Sequence, residues 1–178
     1  MIRTALRSLS RLWRREDGTA TIEFVLVFPA FMVLFVSAVE LGLLQTRQAM
    51  LERGLDMAVR EIRLNTKTSF SSYDIKRMIC SGAGILPDCV NTMKLEMRRV
   101  DLRNWSDIPS TPDCVDVSEP FSPMVKFQNG QENQLMVLRV CSLFKPLLPG
   151  MGLGYQVHKE SGGMYALVSM SAFVMEPL

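Results

Sequence analysis

Residues 24–39 read FVLVFPAFMVLFVSAV, a run without a single charge, and one carboxylate, Glu23, stands immediately before it. About 20 predominantly apolar residues cross a bilayer as a helix, and residues 24–44 supply such a stretch, interrupted only by Pro29, Glu40 and Gly42. Proline is tolerated in membrane helices, so the run predicts a single transmembrane helix. An ionisable group in a membrane segment costs about 2.5–3.5 kcal/mol on insertion scales and so usually has a functional reason. Glu23 therefore needs one.

Charge is distributed to match. The net charge of +2 is too small to argue for nucleic acid as a partner. Five arginines (Arg3, Arg7, Arg11, Arg14 and Arg15) lie before residue 18, and the remainder is slightly acidic. Basic residues beside a first hydrophobic stretch tend to stay in the cytoplasm. The rest of the chain is then expected on the outward side of the membrane.

All four cysteines, Cys80, Cys89, Cys114 and Cys141, follow the apolar run. An even count in an exported domain suggests two disulfides with three possible connectivities. Pairing Cys80 with Cys89 and Cys114 with Cys141 closes the smaller loops and is favoured; buried free thiols are the alternative. Zinc is disfavoured, because there is no C-x-x-C pair and His158 is the only histidine. No cofactor is expected. Carboxylates are scattered, His158 has no nucleophile–acid set near it in sequence, and an enzyme is not expected.

The segment Arg14-Arg15-Glu16-Asp17-Gly18-Thr19-Ala20-Thr21-Ile22-Glu23-Phe24, followed by the apolar run and Glu40-Leu41-Gly42, resembles the TadE/TadF pseudopilins of the tight-adherence (Flp) type IV pilus system. The resemblance covers about the first 45 residues. It implies a prepilin leader (1–18), cleavage by a prepilin peptidase between Gly18 and Thr19, a transmembrane helix (19–44) and a periplasmic domain (45–178). The new Thr19 ammonium and the Glu23 carboxylate would be the assembly pair, one subunit's amine meeting a neighbour's acid, with Phe24 the aromatic after the glutamate. The implied function is that of a minor pilin taking part in pilus assembly or initiation for surface attachment, and the resemblance is compatible with incorporation in the pilus. The implied partners are the prepilin peptidase, other pilins and pseudopilins, inner-membrane pilus assembly proteins and membrane lipid. Two other readings compete: an uncleaved single-pass anchor carrying a periplasmic adaptor, and a secretory signal cut after Ala38, where Val36-Ser37-Ala38 offers small residues.

Beyond the membrane run, Leu44, Leu51, Leu55, Ala58 and Ile62 recur at helical spacing. The helix is expected to continue outward with this face on a core. A short helix over 73–80 follows, then strands over 93–102, 135–144 and 165–175. The first strand alternates, with Leu95 and Met97 on one face and Lys94, Glu96 and Arg98 on a half-exposed other. The last two are apolar enough to read as central. The fold class is α+β: a long N-terminal helix packed on a small antiparallel sheet, as in pilins. Residues 103–134 form a long loop, and 146–163, with Gly150, Gly152 and Gly154, reads as a flexible connection and not as a phosphate-binding turn.

Overall fold

The computed structural model describes residues 19–65, 68–101, 103, 108–115 and 126–177. Helix α1 (Thr19–Leu64) runs unbroken through Pro29, a length of about 70 Å at 1.5 Å per residue. Its two halves differ. Residues 20–35 are exposed along their whole length, whereas Leu51, Leu55, Ala58 and Ile62 are buried. The apolar stripe of the second half is thus a core face.

Two elements pack on that face. Helix α2 (Ser72–Ala83) begins with a capping box: the Ser71 hydroxyl accepts from the Asp74 N–H, and the Asp74 carboxylate accepts from the Ser71 N–H. This satisfies donors that a helix N-terminus otherwise leaves open. The Ser71 hydroxyl, then the Ser71 N–H, hold the Asp74 carboxyl below its ordinary value. Its contribution to stability is therefore present above the ordinary carboxyl pKa and is lost as the pH falls through the lowered one. Ser71→Ala should cost about 1 kcal/mol, the usual loss for an N-cap hydroxyl, and a thermal melt that does not move would contradict this. The helix starts earlier than the 73–80 expectation because its cap is Ser71. Where α1 and α2 cross, a Cβ on Gly54 would lie 2.4 Å from the Ile79 carbonyl oxygen, so only glycine allows the backbones this close.

The second packing element is an antiparallel sheet in the order β1-β2-β3. It is built from β1 (Met93–Arg99), β2 (Leu135–Phe144) and β3 (Tyr165–Val174). Short helix α3 (Cys89–Thr92) leads into β1, and α4 (Leu153–Gln156) lies between β2 and β3. The register sets Leu95 opposite Val140, Glu96 opposite Arg139 and Met97 opposite Leu138. Met93, Leu95, Met97, Met136, Leu138 and Val140 turn one face to the helices, in one core with Leu55, Ile62 and Ile79. The α+β class, a long helix against a small antiparallel sheet, is as expected.

Two strand expectations need correction. Strand β3 is an edge and not a central strand: Val168, Met170 and Val174 are exposed on its outward face. The polar face of β1 is not half-exposed, since Lys94 and Glu96 are both buried. Residues 108–115 cover it. Arg139 donates from Nε to Glu96 Oε2 at 3.0 Å and from Nη1 to the Pro109 carbonyl at 2.7 Å. Arg98 pairs with the same glutamate, and Lys94 meets Asp113 at 2.9 Å. A Cys114–Cys141 disulfide ties the covering segment to β2, and Cys80–Cys89 joins α2 to α3. On the other side of β1, Met97 exchanges backbone hydrogen bonds with residues 126 and 128.

Candidate functional site

Two carboxylates interrupt the apolar half of α1, and the fold treats them oppositely. Glu23 is on the bare portion and exposed. It shares a surface with Ala20, Phe24, Val27, Phe28 and Phe31, positions three, four, seven and eight apart that make one helical face. Phe24 and Phe28 stack at a centroid separation of 4.7 Å, and Phe31 and Phe35 at 6.3 Å. Among the described residues no hydrogen bond or ion pair reaches Glu23. Thr19 opens the helix one turn below it, an axial offset of about 6 Å. Gly18 and the leader lie outside the described residues.

Glu40 is buried under the protein's own head. Its Oε1 accepts from the Leu147 N–H at 3.0 Å. It also lies close enough to Tyr165 that, after burial, its charge is the next cause holding the phenol above its ordinary pKa. One turn earlier, the Ser37 hydroxyl donates to the Val33 carbonyl at 2.7 Å and accepts from the Leu153 N–H at 3.2 Å. The glycine-rich segment is therefore no flexible connection. Gly152, with φ of +57°, is so near Ser37 that a Cβ would lie 2.3 Å from its hydroxyl, and a Cβ on Gly154 would meet the Leu148 carbonyl at 2.0 Å. These glycines let the loop backbone lie against α1. Sequence reasoning noticed Glu40 as an interruption and as part of the family resemblance, but gave it no partner, although the cost argument made for Glu23 applies equally to it.

The cysteines do not converge on this site; both pairs staple the head. Residues of the head present no metal cluster: among the described residues no three His, Cys, Asp or Glu side chains could hold an ion together. His158 is in the open, with Glu160 at 3.8 Å. Chemically the arrangement offers an apolar face with one unsatisfied acid, suited to packing against another helix that brings a positive charge.

One helix of the described chain is long and apolar enough to cross a membrane, and it is α1. It fits a single-pass anchor. No curated protein and no solved structure matches the chain. The family model described as TadE-like protein matches residues 18–60, a stretch that includes Glu23 and Glu40, and over that stretch the chain is similar to TadE-like proteins.

Proposed function

We propose that this protein is a minor pilin of a tight-adherence (Flp) pilus, made as a precursor and cut by a prepilin peptidase between Gly18 and Thr19. Its N-terminus lies on the cytoplasmic side of the inner membrane, and residues 45–178 form the periplasmic head. Its role is structural. Helices 19–44 of neighbouring subunits pack side by side, and the Thr19 ammonium of one meets the Glu23 carboxylate of the next. In an apolar environment an unpaired charge is far costlier than a pair, so this contact fixes the axial register as well as the partner.

The single observation that carries the reading is the contrast between the two acids. Glu40 is covered and bonded by its own head, whereas Glu23 stands exposed on a phenylalanine-lined face. An acid kept there without an internal partner is explained by a partner from outside. A secretory cut after Ala38 fits poorly, because it would discard Ser37, on which the head's own loop is docked.

The test is the N-terminal sequence and intact mass of protein extracted from membranes of the native host. A chain starting at Thr19 supports the proposal, and Gly18→Trp should then leave the precursor mass unchanged. An intact Met1 start in the unsubstituted protein would replace it with an uncleaved, anchored adaptor.

A further inference from the structure

The loop between β2 and α4 and the residues just after it contain an apolar surface that the assembly reading does not use. Leu147, Met151 and Tyr155 are 52%, 54% and 68% exposed. Lys145 and Lys159 flank them, and the Lys159 ammonium lies 6.0 Å from the centre of the Tyr155 ring while donating to the Pro149 carbonyl at 2.8 Å. Large apolar groups beside a tyrosine and lysines are the composition of a membrane–water boundary, where rings and ammonium stems keep one end wet.

The height of this loop follows from its docking. It is bonded to α1 at Ser37 and Glu40. Ser37 lies about 20 Å along the axis from Phe24 and about 26 Å from Ala20, at 1.5 Å per residue. The hydrocarbon core of a bilayer is about 30 Å thick. Whichever of these residues marks the far boundary, the loop stands at or below the near one. Leu34 and Phe35, immediately before the docking point on α1, are exposed as well.

From this we infer that Leu147, Met151 and Tyr155 form a second membrane contact, which inserts into the lipid leaflet on the side of the head. The head is thereby seated on the bilayer at a fixed height and rotation and does not swing free above it. Lysines 145 and 159 reach outward to anionic headgroups. This inference rests on the reading of α1 as a membrane helix, and the experiment separates the two.

The full chain, with Trp13→Phe and Trp105→Phe, is reconstituted into vesicles of phosphatidylethanolamine and phosphatidylglycerol with brominated acyl chains. Single tryptophans are then placed by Tyr155→Trp, by Leu34→Trp in α1, and by Tyr73→Trp on α2. The expected result is that Tyr155→Trp and Leu34→Trp lose most of their emission relative to unbrominated vesicles, while Tyr73→Trp keeps its emission. Quenching of Leu34→Trp without quenching of Tyr155→Trp overturns the loop contact and leaves the membrane helix standing. If the unquenched Tyr155→Trp emission is also shifted to the blue, another protein covers the loop. No quenching of Leu34→Trp overturns the membrane helix and this inference with it. Equal quenching of Tyr73→Trp means that the head adheres without orientation, which also overturns it.

Discussion

Glu23→Ala should leave the protein folded, disulfide-bonded and anchored in the membrane, yet unable to enter pili. Among the described residues the head does not touch this position: the contacts between α1 and the loop lie at Ser37 and Glu40, and the first fully buried core residue of α1 is Leu51. Removing the carboxylate also lowers the cost of inserting the helix, by about 2.5–3.5 kcal/mol on insertion scales, so anchoring is not impaired. On the proposed mechanism, what is lost is the partner for a neighbour's Thr19 ammonium. That amine would then be packed among apolar helices alone, and losing one member of a desolvated pair is typically worth about 3–5 kcal/mol, a factor of more than a hundred in association. The measurement is pilus incorporation in the native host, with cleavage and membrane fractionation followed in the same cells. Normal incorporation of the alanine variant would sink the charge-pairing mechanism. Glu23→Gln separates shape from charge, because it preserves the side chain's length and can still accept a hydrogen bond. A glutamine variant that assembles like the original would mean that packing on the Phe24–Phe28 face, and not the ion pair, sets the register.

The contrast between the two acids was only half legible in the sequence. Glu23 stood out because it precedes a charge-free run, and the stripe from Leu51 to Ile62 because a helix repeats every 3.6 residues. Both signals are local. Glu40 needed a contact across more than a hundred residues to Leu147, and no periodicity reports that. Strand β1 failed for a related reason. Its alternation correctly separated Leu95 and Met97 from Lys94, Glu96 and Arg98, but alternation tells which residues share a face and not what lies on that face. The covering segment brings its own counter-charge and carbonyl, through Asp113 and Pro109, so Lys94 and Arg139 are buried there with partners. In β3 the error ran the other way: a run of apolar residues read as doubly covered, whereas its outward members, Met170 and Val174 among them, remain exposed on the edge strand. The glycines at 152 and 154 looked like slack in the chain. They are the means by which the loop lies against α1.

The buried face of β1 carries the largest expected effect on stability. Glu96 pairs with two arginines, Arg98 and Arg139, and both it and Arg139 are more than nine-tenths buried. Glu96→Ala leaves these guanidinium groups beside each other, beneath a segment that Cys114–Cys141 prevents from moving far. The ε-ammonium of Lys94, paired with Asp113, adds a third positive charge on the same face. Breaking a buried pair by removing one partner typically costs about 3–5 kcal/mol. For a head of this size that corresponds to a fall in melting temperature of about 10 °C or more. Melts of the oxidised protein in detergent micelles, followed by circular dichroism, measure it; a loss below about 1 kcal/mol would show that water reaches the face and that the pair is only a surface bridge. The double replacement Glu96→Leu with Arg139→Met tests the cause. If the damage in the alanine variant comes from stranded charge, replacing both partners by apolar groups of similar size should recover most of the lost stability. If it comes from lost anchoring of residues 108–115 through the Pro109 carbonyl, the double variant should stay as unstable as Glu96→Ala, because it removes that arginine bond as well.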